Sequence, residues 1–196
     1  MFVKICGLRT AEAVQAACDA GADALGFVFA PSPRQVTPEQ AVQLCADVPE
    51  HVIRVAVMRH PEPETCARVL EVFRPDWLQT DAEDFAGLGL GPTIRRIPVY
   101  RDRPELDEAQ VVTQGRVLFE AADSGVGRCP DWPVARRLAE KTELILAGGL
   151  DPDNVADAIA RVQPWGVDVS SGVESERGLK DLARIAAFVA AARAAE

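Results

Sequence analysis

The chain is poor in the residues that usually build metal and redox centres. Only two histidines occur, His51 and His60, and they complete no metal-ligand or catalytic-triad spacing. Five cysteines, Cys6, Cys18, Cys45, Cys66 and Cys129, are an odd number without any C-x-x-C pair. That argues against a disulfide framework or a zinc site and reads as reduced thiols. No apolar run approaches eighteen residues, and the opening MFVKICG lacks the apolar stretch of a secretion signal. The expectation is a cytoplasmic protein with no membrane segment. A positive balance is also missing: 21 Lys and Arg against 30 Asp and Glu leave a net charge of −9. Nucleic acid is therefore not an expected partner, because phosphate-backbone binding needs grouped cations. A small anionic substrate remains compatible, since a few arginines and helix N-termini set a local potential.

What the chain does have is regular alternation. The β-rich runs FVKIC, DALGFVFA, VIRVAVM, DWLQT, TIRRIPVY, RVLFEA, ELILAGG and GVDVSSG are each followed by a helical pattern. The candidate after DWLQT, DAEDFAGLG, is weak and glycine-rich, and the last is the long LKDLARIAAFVAAARAA. Eight near-continuous apolar strands in strict βα alternation predict an α/β protein, a closed (β/α)8 barrel, in one domain spanning residues 1–196. At about 24 residues per unit the barrel is short for a class of ~250 residues, so an open doubly wound sheet is the second reading.

In such barrels chemistry sits on the loops after each strand. The seventh strand ends in AGGLDPDN and the eighth in DVSSGVE, bringing Gly148, Gly149, Ser171 and Gly172 to neighbouring loops. Backbone amides and hydroxyls in those positions suit a phosphate. Taken singly each could be an ordinary turn, but as a pair in these two loops they favour a phosphate site. After the second strand, Thr37, Pro38 and Gln40 form a helix start with a capping box, which leaves Arg34 unexplained. Its planar fork suits a carboxylate or a solvated surface equally. Glu120 ends the sixth strand, with Gly125, Gly127 and Arg128 in the loop behind it.

Cys6 ends the first strand, where a cysteine is ordinarily a small buried hydrophobe. Strand alternation, however, turns Lys4 and Cys6 into the barrel, and Val3 and Ile5 outward. In a closed barrel the eighth strand lies beside the first, so an inward Asp168 is the expected partner of Lys4, since an unpaired interior ammonium is costly. Residual positive potential there favours the Cys6 thiolate.

KICGLRT, GADALGFVF with PRQVTPEQA, LAGGLDPDNV, and VDVSSGVES with the downstream GLKD together resemble the phosphoribosylanthranilate isomerase family, in order and spacing along nearly the whole chain. That family is a short (β/α)8 barrel of the ribose-phosphate-binding type. The resemblance implies an Amadori rearrangement of N-(5-phosphoribosyl)anthranilate to 1-(2-carboxyphenylamino)-1-deoxyribulose 5-phosphate in tryptophan biosynthesis, by proton transfers that require no metal or nicotinamide. By motif it implies Cys6 as the base, Arg34 at the anthranilate carboxylate, Asp168 near the substrate, and Gly148, Gly149, Ser171 and Gly172 at the phosphate. The implied partner is a small phosphosugar, and the protein a monomer or homodimer.

Two positions depart from the family pattern. Glu120 stands where the family's acid is usually an aspartate, with Asp123 as the alternative acid, and Thr80 stands where a histidine is common. The competing readings are another ribose-phosphate barrel enzyme and a noncatalytic phosphosugar-binding protein. The metal-binding histidines of ribulose-phosphate epimerases and the strand-end lysines of indole-glycerol-phosphate synthases are not visible.

Overall fold

In a computed structural model, which describes residues 1–123 and 127–196, eight parallel strands close into a barrel in sequence order. The first half runs β1 (Phe2–Cys6), α1 (Ala11–Asp19), β2 (Ala24–Val28), α2 (Pro38–Leu44), β3 (Ile53–Val57), α3 (Pro63–Val72) and β4 (Trp77–Asp81). The second half runs β5 (Arg95–Asp102), α4 (Glu108–Val111), β6 (Arg116–Ala121), α5 (Trp132–Ala139), β7 (Glu143–Leu146), α6 (Val155–Val162) and β8 (Gly166–Val169). A small antiparallel pair, β9 (Glu174–Glu176) and β10 (Leu179–Lys180), precedes the closing helix α7 (Leu182–Ala194).

The closed topology replaces the open-sheet alternative, and β1 pairs with both β2 and β8. The Thr37 capping box forms as its sequence predicts: the hydroxyl accepts from the Gln40 amide and the Gln40 side chain accepts from the Thr37 amide. Two helical expectations shrink: DAEDFAGLG makes only a 3-10 turn over Ala82–Gly87, and RPELDEAQVV yields a single helical turn, Glu108–Val111. Helix α6 starts at Val155 after Asp151 has accepted hydrogen bonds from the Asp153 and Asn154 amides. An Asx turn thus competes successfully with helix in this segment.

Two apolar compartments hold the barrel. Outward residues such as Val3, Ile5, Leu78, Val117 and Phe119 pack beneath the helices, whereas Val55, Trp77, Ile97, Leu118 and Ile145 fill the interior. The interior is plugged at the N-terminal ends of the strands. Phe2 stacks on Trp165 (4.5 Å) and Trp77 (5.4 Å), and the Arg116 guanidinium lies 3.9 Å over Trp165. Trp77 and Trp165, scattered in sequence, are therefore one cluster. Closing that end leaves access to the interior at the other, where the strands finish. No helix among the described residues is long and apolar enough to cross a membrane.

Candidate active site

Above the aromatic plug the inward positions turn polar. Lys4, fully buried, places Nζ 2.6 Å from Asp168 Oδ1, and the two are register partners across β1 and β8. The pair predicted from strand parity is present. Gly26 on β2 makes room for it: a Cβ there would lie 3.0 Å from the Cys6 sulfur and 3.1 Å from Lys4 Nζ.

Cys6 is 6% exposed and opens with Arg34, Asp81, Arg101, Glu120 and Asp168 onto a cavity of about 330 Å³ at the C-terminal rim. Burial pushes its thiol above the usual thiol value; Lys4 and Lys180 pull against that and Asp168 adds to it. Desolvation thus outweighs the two ammonium groups in the balance at the thiol. Burial likewise opposes the Lys4 charge, but Asp168 and Cys6 outweigh it and hold its pKa above the ordinary lysine value.

A second, narrower cavity of about 50 Å³ adjoins the first and shares Glu120, Asp168 and Ser170 with it. Gly148, Gly149, Ser171, Arg128 and Asp123 are among its other lining residues. Gly148 and Gly149 have φ of +87° and +63°, and a Cβ on either would stand 2.7 Å from the backbone of the segment carrying Arg128 and Cys129. Asn154 fixes this turn by donating to the Gly149 carbonyl at 2.8 Å. Gly172 contributes differently: it does not line the cavity but lets the β8 loop approach the β7 loop, since its Cβ would fall 1.9 Å from the Leu150 carbonyl oxygen. Of the loop behind Glu120, Gly125 lies outside the described residues.

Arg34 lines the large cavity, yet its fork is already engaged. Nε and Nη2 donate to the two Glu174 carboxylate oxygens at 2.6 and 2.8 Å. Lys180, at the end of the β9–β10 pair, donates to Glu174 (3.0 Å) and to the Ser170 carbonyl (2.8 Å). Burial works to raise the Glu174 pKa, but Arg34, the Gly178 amide and Lys180 bring it down to about 2. Burial pushes Lys180 below the usual lysine value. The small sheet therefore ties the Arg34 loop to the end of β8.

The histidine-replacing Thr80 faces away from the cavity and donates to Asp84 at 2.6 Å. Its neighbour Asp81 takes the inward place instead. Its Oδ1 accepts from Arg101 Nη1, and its Oδ2 lies 3.2 Å from His60 Nε2. Arg101 Nη2 lies 3.2 Å from Glu120 Oε1. Sequence reading missed both Arg101 and Asp81 because it ended the fifth strand at Tyr100 and the fourth at Thr80. The inward run Ile97, Val99 pointed to Arg101, and Trp77, Gln79 pointed to Asp81.

A closed parallel barrel with titratable side chains gathered at the C-terminal ends of its strands defines a (β/α)8 protein of the enzyme type. The family model of N-(5'-phosphoribosyl)anthranilate (PRA) isomerase matches residues 3–191, and the chain belongs to that family. It is 42% identical to the N-(5'-phosphoribosyl)anthranilate isomerase of Thiobacillus denitrificans, with 98% of each chain covered. A solved phosphoribosyl anthranilate isomerase in complex with reduced 1-(o-carboxyphenylamino)-1-deoxyribulose 5-phosphate superposes with a TM-score of 0.85 at 32% identity, over 99% of each chain. So do monomers generated from the dimeric phosphoribosylanthranilate isomerase of Thermotoga maritima, with a TM-score of 0.85 at 31% identity over 99% of each chain.

Proposed function

We propose that Cys6 and Glu120 are the base and acid with which this chain isomerises N-(5'-phosphoribosyl)anthranilate in tryptophan biosynthesis. The observation that carries the assignment is their joint presence on one cavity wall, with Glu120 also at the mouth of the glycine-lined pocket. The Glu120 carboxyl gives its proton to the ribose ring oxygen, and the ring opens to a Schiff base. The iminium acidifies C2, the Cys6 thiolate removes that proton, and the enolamine tautomerises to the ketone. A buried thiol of raised pKa is a stronger base once ionised, and Lys4 and Lys180 supply the positive potential that supports the ionised form. Gly148, Gly149 and Ser171 serve the phosphate, with Gly172 holding the two loops together. Arg34 addresses the anthranilate carboxylate through Nη1, the nitrogen Glu174 does not take. Asp168 sits beside the reacting carbons.

Residues 1–196 then act as one barrel domain, in the cytoplasm, on a small phosphosugar, as a monomer or homodimer. The test is to generate phosphoribosylanthranilate in situ and follow the decay of its fluorescence. Acceleration over the spontaneous background is expected, with Cys6→Ala and Glu120→Ala each losing about 10²-fold or more. A crippled Asp123→Ala beside a mild Glu120→Ala would transfer the acid role.

A further inference from the structure

We infer that Asp81 and Arg101 are positioning residues for Glu120: Arg101 aims its carboxyl, and Asp81 neutralises Arg101 so that the carboxyl can still hold a proton. The inference rests on the reading of Glu120 as the acid.

Three consecutive strands put these groups in a row. Arg101 on β5 and Glu120 on β6 are register partners, and Asp81 ends β4 beside them. The guanidinium spans the row, donating through Nη1 to Asp81 Oδ1 and standing 3.2 Å from Glu120 Oε1 through Nη2. Side-chain exposures of 1% for Asp81, 10% for Arg101 and 16% for Glu120 mean that water screens the charges poorly. A guanidinium alone at this distance would keep Glu120 ionised and unfit to donate a proton. With Asp81 ionised, the Asp81–Arg101 pair carries no net charge. Ionising Glu120 then adds a second carboxylate to a single cation, a cost the protonated form avoids. Arg101 still fixes direction, which matters because a glutamate has one more rotatable bond than an aspartate.

Among the described residues, the other charged groups near Glu120 are placed differently. Asp168 on β8 is matched by Lys4 from β1, and Arg34 by Glu174. Arg59 and Arg177 stand on the wall of the large cavity with the Cys6 thiol, and Asp123 and Arg128 line the small pocket on the loop behind Glu120. His60 meets Asp81 from the far side of the row.

The two partners therefore act on Glu120 in opposite directions, which a merely structural role would not produce. In full-length protein labelled with carboxyl-13C glutamate, the Glu120 signal is assigned by its loss in Glu120→Gln and titrated by NMR. Asp81→Asn should lower the midpoint by about one pH unit or more, and Arg101→Gln should raise it. The acid-side limb of the rate profile should move the same way in each variant. Equal shifts in both variants, or no shift in either, would overturn the inference. Should Asp81→Asn fail to fold, Arg101→Gln decides alone: an upward shift supports the inference and any other result removes it. Full activity of Glu120→Gln would instead remove the acid assignment, while the opposed shifts would remain measurable.

Discussion

Lys4 Nζ lies 2.6 Å from Asp168 Oδ1, and the two residues are register partners across the seam where β8 closes onto β1. The contact joins the first and last strands of the barrel inside its interior, directly beneath the Cys6 thiol. An ammonium with no solvent exposure needs this partner, since its desolvation cost is otherwise unmatched. Removing one member of such a pair costs about 3–5 kcal/mol, whereas removing both charges costs far less. Lys4→Met should therefore lower the urea midpoint sharply, and Lys4→Met with Asp168→Asn should recover most of the loss. Equal destabilisation in the single and double variants would show that Lys4 contributes packing rather than charge.

The raised thiol of Cys6 has a kinetic consequence. The base works as thiolate, and below its pKa the thiolate fraction grows tenfold with each pH unit. Alkylation of Cys6 by iodoacetamide should climb through neutral into mildly alkaline pH, whereas turnover, which also needs Glu120 protonated, should level off above the acid-side limb that Glu120 sets. Mass spectrometry separates Cys6 from the exposed Cys129, while burial pushes Cys45 up to about 12 and keeps it slow. An alkylation rate at Cys6 that stays flat across that range would mean a thiolate already formed at neutral pH.

Much of this arrangement is legible in the amino-acid sequence. Period-two alternation in FVKIC fixed the inward side of Lys4 and Cys6, and barrel closure then selected Asp168, because side chains of like parity share one compartment. Thr37 and Gln40 announced their helix by a local rule, and the glycines after β7 and β8 marked the narrow pocket. The partner of Arg34 was not legible. Glu174 lies 140 residues away on a two-strand excursion whose pairing has no periodic signature. Nor was the balance at Cys6, where two nearby ammonium groups lose to burial, a quantity that depends on the whole fold.

Gly172 tests the geometry of the narrow pocket. A Cβ there would stand 1.9 Å from the Leu150 carbonyl oxygen, and backbone cannot yield as a side-chain end does. Gly172→Ala must push the β8 loop away from the β7 loop and carry Ser171 with it. Overpacking of this kind costs about 1–3 kcal/mol. The expected result is a KM for phosphoribosylanthranilate raised tenfold or more, with the rate of Cys6 alkylation close to that of the parent. An unchanged KM would detach these loops from phosphate binding.

Acid should act on the protein through Glu174. Its pKa falls from the ordinary 4.5 to about 2 in the folded chain. A depressed folded value means that the native state holds the carboxylate more firmly than the unfolded state does. The stabilisation is then complete above about 4.5 and is lost as pH falls toward about 2. Glu174→Gln keeps the shape but has no charge to lose, so the parent should exceed it in stability at neutral pH and the gap should close across that window. Urea unfolding at a series of pH values reads the gap directly. A gap that stays constant down to the lowest pH would mean that Glu174 contributes hydrogen bonds alone. In the same variant Arg34 loses the anion that fixes its plane, so KM should rise even at neutral pH, where the gap in stability is largest.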